Sequence, residues 1–180
     1  MKVMKFGGTS VGTPESIAAL LQLVQQSYDR GEQPLVVLSA MSGVTNQLQQ
    51  LAEEARKGNE FSSDLADLEQ RHFSVIRQLV PLTEQNRIVT SIRLLIQELE
   101  RVLTGIQNLG ELSAQSRDQV LGFGERCSAL MISQLAGQYL PRTQFVDARQ
   151  VVSTNSQFGQ AQVLTARTET QITELLANHA

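Results

Sequence analysis

The residues best suited to chemistry fall in loops after short apolar runs. Lys5-Phe6-Gly7-Gly8-Thr9-Ser10 sets an ammonium group at the end of a β-type run, then two glycines, then two hydroxyls. Glycines let backbone N–H groups approach phosphate oxygens, a helix start adds a positive dipole end, and lysine supplies a full charge to a phosphoryl group in transfer. No GxxxxGK[ST] occurs, so this is not a Walker-type loop, and a Gly-Gly pair after a strand also serves as a plain turn. Ser39-Ala40-Met41-Ser42-Gly43-Val44-Thr45-Asn46 is the second candidate, at the C-terminal end of a predicted parallel strand, where α/β sheets hold ligands. Its hydroxyls and helix-start N–H groups can hold a carboxylate, although capping by Ser42 or Thr45 explains the same residues. Gly124-Glu125-Arg126 offers a carboxylate to a substrate ammonium group, and a solvated helix face accounts for Glu125 equally well. Asp147-Ala148-Arg149 and Ser153 to Gly159 are polar and, as isolated loops, specify no chemistry.

The elements that must position these loops follow from periodicity. Val3 to Phe6 reads as a strand, Gly7-Gly8 as its loop, and Thr13-Pro14 as the N-cap and first residue of a helix. Ile17, Leu20, Leu21, Val24 and Tyr28 recur at helical spacing, and Gly31 stands where that helix stops. Pro34 to Ala40 is apolar enough for a parallel strand covered on both faces. Val44, Leu48, Leu51 and Ala55 then form a helical stripe before Gly58, completing a βαβα order. The middle, from Leu65 to Ile106, predicts a helical hairpin beside the sheet with Pro81 near its turn. Another helix is expected from Ser113 to Leu140, with Gly122 and Gly124 marking close packing or a kink near Glu125. Thr143 to Asp147 reads as a third short strand, and Ile172, Leu175 and Leu176 as a last helical stripe running out at Ala180. Three short strands against five or more helices is lopsided for a self-contained three-layer α/β domain, so the chain reads as truncated.

Composition narrows the classes. The 41% hydrophobic and 18% charged residues suit one globular domain, and 15 Lys plus Arg against 18 Asp plus Glu give a net charge of −3. No basic surface recommends nucleic acid, and no apolar run approaches the roughly 20 residues that cross a bilayer. The N-terminal Met1 to Lys5 lacks a signal-peptide core, so a cytoplasmic protein is expected. The single Cys127 has no CxxC or His-rich surroundings, so no protein-held metal is expected, and it reads as a small packing residue.

Taken together and in order, Lys5 to Val11, Val37 to Ala40 with Gly43 to Asn46, Gly124 to Arg126, Asp147 to Arg149, and Thr154-Asn155 with Phe158-Gly159 resemble the aspartate kinase family. KFGGTSV is the most specific of these motifs, and the resemblance spans nearly the whole chain. It implies an amino-acid kinase (carbamate kinase-like) fold, an α/β three-layer sandwich with a mainly parallel sheet, truncated and helix-rich here. It implies transfer of the γ-phosphoryl group of ATP, accompanied by Mg²⁺, onto the side-chain carboxylate of L-aspartate, giving 4-phospho-L-aspartate at the start of lysine, threonine and methionine biosynthesis. By matching position, Lys5 neutralises the phosphoryl group in flight, while Gly7, Gly8, Thr9 and Ser10 line the phosphates. Ser39, Thr45 and Glu125 hold aspartate, with Glu125 on its amino group. Residues 1–180 then correspond to the N-terminal part of the catalytic domain, without the nucleotide half and the regulatory modules, and so inactive alone; the full-length enzyme is expected to be a homo-oligomer. The helical middle with Gly110-Glu111-Leu112-Ser113 looks more like the bifunctional aspartate kinase–homoserine dehydrogenases than the monofunctional forms. The alternatives are another superfamily kinase, acting on N-acetylglutamate, glutamate or UMP, and a non-catalytic amino-acid-binding or oligomerisation module.

Overall fold

A computed structural model describes residues 1–177. Strand β1 (Lys2–Phe6) pairs in parallel with β2 (Pro34–Leu38), in register from Lys2 opposite Pro34 to Phe6 opposite Leu38. Between them run a 3-10 turn (Gly8–Val11) and helix α1 (Pro14–Asp29). The start of α1 is fixed locally: the Thr13 hydroxyl accepts from the Ser16 N–H at 3.2 Å, the Thr13 N–H donates to Ser16 Oγ at 3.1 Å, and Pro14 fills the first turn. Beyond its end Gly31 adopts φ +75°, a conformation that costs glycine nothing.

Aligned residues of a parallel pair share a face. Met4, Phe6, Val36 and Leu38 pack on the core, whereas Val3 and Val37 are 61% and 44% exposed. The sequence-based expectation of a second strand covered on both faces is therefore not met. Val3, Lys5 and Val37, on the opposite face, are all exposed.

The remaining elements are helical: α2 (Val44–Arg56), α3 (Ser62–Leu79), α4 (Leu82–Leu109), α5 (Ala114–Leu121), α6 (Phe123–Ala136) and α7 (Thr165–Ala177). The α3–α4 hairpin turns at Pro81, as the sequence predicts, but it packs chiefly on α2 and α6 rather than on the strands. Its buried stripe of Ile88, Ile92, Ile96, Leu99, Leu103 and Ile106 meets Leu65, Leu68, Phe73 and Ile76 in one continuous core with α2 and α6. None of the described helices is long and apolar enough to cross a membrane.

Two further expectations are corrected. The helix placed at Ser113 to Leu140 is two helices, α5 capped by the Ser113 hydroxyl and α6 ending at Ala136, separated at Gly122. Thr143 to Asp147 is not a strand. That segment has no neighbouring strand to complete a ladder, and Asp147 instead caps a 3-10 turn (Ala148–Gln150) through Oδ1 and the Arg149 N–H. The one further pairing among the described residues is an isolated antiparallel bridge between Thr154 and Val163. The stretch expected to run out at Ala180 ends beyond the described residues.

Candidate active site

Three segments far apart in sequence meet at the ends of β1 and β2. The parallel ladder continues one step past β2, where the Ser39 N–H donates to Phe6 O at 3.2 Å, and the chain then turns through Met41-Ser42-Gly43 into α2. Gly43 makes that turn at φ +82°. The glycine loop packs against the same turn. A Cβ on Gly8 would stand 3.2 Å from Ala40 O, and one on Gly12 would stand 3.2 Å from Ser42 Cβ.

Helix α6 closes the site from the third side. A Cβ on Gly124 would fall 2.7 Å from Ala40 Cβ, so only glycine lets the helix approach this closely, which meets the close-packing expectation for Gly124. Buried Ser128 fixes the approach, its Oγ donating to Ser39 O at 2.6 Å. These contacts set Glu125 at the mouth, where Oε1 accepts from the Ala40 N–H at 3.4 Å. A bond of that length is weak, and exposed Glu125 keeps acceptor capacity for a ligand.

The result is an open cleft of about 360 Å³ lined by Gly8, Ser39, Ala40, Met41, Ser42, Gly43, Thr45, Asn46 and Glu125. No side chain caps α2. The proposed cap residues Ser42 and Thr45 do not perform that role; the Val44 N–H donates to Met41 O at 3.0 Å, and the Thr45 and Asn46 N–H groups of this 13-residue helix remain available at the cleft. A carboxylate suits that end, and an ammonium group suits Glu125.

Of the residues singled out from the sequence, Gly8, Ser39, Thr45 and Glu125 line this cleft. Lys5, Gly7, Thr9 and Ser10 do not line it and occupy the adjoining strand end and 3-10 turn. Lys5 Nζ lies 3.8 Å from where a Gly7 Cβ would be, and Lys5 has no ion pair among the described residues. No cluster of three His, Cys, Asp or Glu residues forms among the described residues. The one carboxylate of the cleft, Glu125, is no set of metal ligands, so any Mg²⁺ would arrive with phosphate oxygens.

The sequence did not disclose how Arg126 is used. Its guanidinium forks onto Glu98 of α4 at 3.0 and 2.7 Å, stacks over the Phe123 ring at 4.5 Å, and sets Nε 3.4 Å from Asp147 Oδ2, near enough for charge attraction without a hydrogen bond. Asp147 is in turn gripped by Arg149. The Arg126 and Asp147 side chains are only 11% and 12% exposed. Arg126 holds the Glu98 carboxyl below its ordinary range by hydrogen bonding, and Arg149 does the same for Asp147. The Gly-Glu-Arg and Asp-Ala-Arg motifs are thus two halves of one ion-pair network that fixes the first turn of α6. Both motifs were visible, but their contact exists only after folding.

The sequence pattern of the amino acid kinase family matches residues 1–180. The chain belongs to the amino acid kinase family. Its fold is that of the family, seen here with helices predominating over a two-stranded parallel sheet. A crystal structure of Escherichia coli aspartokinase III in complex with aspartate and ADP superimposes with a TM-score of 0.79 at 27% identity, covering 98% of this chain and 38% of that one. An aspartokinase from Chlamydia trachomatis is 30% identical over 157 residues, 87% of this chain and 32% of the relative. A bifunctional chloroplastic aspartokinase/homoserine dehydrogenase 2 from Zea mays is 28% identical over 151 residues, 83% of this chain and 16% of the relative. The chain of this amino acid kinase family member therefore spans about a third or less of the length of these curated relatives.

Proposed function

We propose that this chain is the N-terminal part of the catalytic domain of an aspartate kinase, carrying the aspartate side of the site and the lysine and glycine loop. The observation that carries the proposal is the cleft in which an under-used carboxylate, Glu125, faces an uncapped helix start at Thr45 across the Ser39–Ala40 strand end. An amino acid with a second carboxylate matches that polarity: its ammonium pairs with Glu125, and a carboxylate takes the α2 N–H groups with the Ser39 and Thr45 hydroxyls. The family relatives named as aspartokinases, one of them bound to aspartate and ADP, support the same reading.

In the reaction a side-chain carboxylate oxygen of aspartate attacks the γ-phosphorus of ATP, the bond to the β–γ bridging oxygen breaks, and ADP leaves with that electron pair. No covalent enzyme intermediate is involved, so the protein contributes positioning and charge. Gly7, Gly8, Thr9 and Ser10 line the phosphates, and Lys5, which has no carboxylate partner among the described residues, neutralises the group in transit. Mg²⁺ entering with ATP, a homo-oligomeric full-length enzyme, a cytoplasmic location and a place at the start of lysine, threonine and methionine biosynthesis belong to the same proposal.

The test is coupled ADP release by the complete enzyme with aspartate, glutamate, N-acetylglutamate and UMP as acceptors. Turnover with aspartate at least about 10²-fold above the others supports the proposal. Equal or greater turnover with any of the other three refutes it.

A further inference from the structure

The turn Met41-Ser42-Gly43 forms one wall of the cleft and delivers the chain into α2. On one side it leans on the glycine loop, through the close approaches of Gly8 to Ala40 O and of Gly12 to Ser42 Cβ. On the other side stands Arg71 of α3, whose Nη1 donates to Ser42 O at 2.9 Å and would lie 3.3 Å from a Cβ on Gly43. No side chain caps α2, and among the described residues the Arg71 guanidinium is the side-chain group that holds this turn by a hydrogen bond. Arg71 is itself exposed and borders a second cleft of about 340 Å³, which shares Gly43 and Asn46 with the first.

We infer that Arg71 is a positioning residue of the substrate cleft: by holding the Ser42 carbonyl it fixes the Ser42–Gly43 turn, and with it the direction in which the α2 N–H groups and Thr45 face a bound carboxylate. A charge-assisted bond to a backbone carbonyl is among the stronger single hydrogen bonds, and here it adds to the Val44 N–H bond to Met41 O at 3.0 Å in a turn whose Gly43 has no side chain to restrain it. An exposed arginine outside the core adds little to global stability. Its loss therefore falls on ligand geometry, where displacement by about an ångström is costly. The inference rests on the reading that the cleft takes aspartate.

The experiment is a calorimetric titration of L-aspartate into the complete enzyme, with R71A, R71K and E125Q alongside and a thermal melt of each. The expected result is about a tenfold weaker affinity in R71A, partial recovery in R71K, and unfolding midpoints within a few degrees of the unaltered enzyme. Unchanged affinity in R71A, with binding abolished in E125Q, overturns the role of Arg71 and leaves the substrate reading standing. A drop of many degrees in R71A that R71K does not restore makes Arg71 a structural residue and equally overturns the inference. Absence of any saturable aspartate binding in the unaltered enzyme removes the substrate reading and the inference with it.

Discussion

Lys5 stands beside Gly7 with no carboxylate paired to it among the described residues, a placement that makes sense for a charge needed only when a phosphoryl group arrives. Lys5→Ala in the complete enzyme is expected to lower kcat by about 10²-fold or more while raising KM for aspartate little, because the charge acts mainly on the transition state. A loss of less than a few-fold removes Lys5 from the mechanism. Cys127 shows the opposite logic: burial pushes its thiol up to about 12, so it stays protonated and serves as packing, as its lone position in the sequence suggested. His72 is also buried. Its Nδ1–H donates to Leu68 O at 2.8 Å, its Nε2 has no partner among the described residues, and burial lowers its pKa below the ordinary 6.5. The unfolded chain binds a proton there that the folded chain refuses, so stability is full above pH 6.5 and declines as pH falls through that value towards the folded pKa. Replacing His72 by Leu should flatten the fall in melting temperature between about pH 7 and pH 5, measured by circular dichroism. An unaltered slope would mean that other groups set it.

At the scale of elements, the local signals that succeeded are those whose partners lie within a turn. Thr13, Pro14 and Ser16 specify the start of α1 among themselves, and Gly31, Gly58 and Gly110 follow α1, α2 and α4 at positive φ. Thr143 to Asp147 failed because a strand is a pairing rather than a property of five residues, and Asp147 found arginines instead of a ladder. Gly122 and Gly124 were legible as an interruption. That Gly124 lets α6 touch Ala40 depends on the end of β2 being there. In the site, Glu125 and the two loops could be nominated from sequence, whereas Ser128, Arg126 and Arg71 act through backbone carbonyls and distant carboxylates that no spacing rule reveals. Gly124→Ala tests the contact. The added methyl gains up to about 1 kcal/mol of helix propensity but meets Ala40 Cβ at 2.7 Å, where neither partner can rotate away. A net destabilisation of roughly 1 to 3 kcal/mol is expected in urea unfolding, together with weaker aspartate binding. Stabilisation would show that α6 can shift without cost.

At the scale of the molecule, one face of the sheet packs on helices and the other leaves Val3 and Val37 in solvent, while the chain spans 38% of the aspartokinase III chain it superimposes on. A two-stranded sheet is marginal by itself, and its free edges invite pairing. On the proposed reading, in which these residues carry the aspartate side and the lysine loop but not the nucleotide half, residues 1–180 alone are expected to self-associate in light scattering and to release no ADP in the presence of aspartate and Mg-ATP, ATP then not being fixed in line with the acceptor. Turnover near the complete enzyme's rate from a monomer would show a fuller nucleotide site than is proposed here. The central claim is that Glu125 holds the ammonium group of aspartate, and steady-state kinetics of Glu125→Gln in the complete enzyme test it most directly. The expected result is a rise in KM for aspartate of about tenfold or more with KM for ATP nearly unchanged, since the pairing acts in ground and transition states alike. A rise in KM for ATP with that for aspartate unmoved would contradict it.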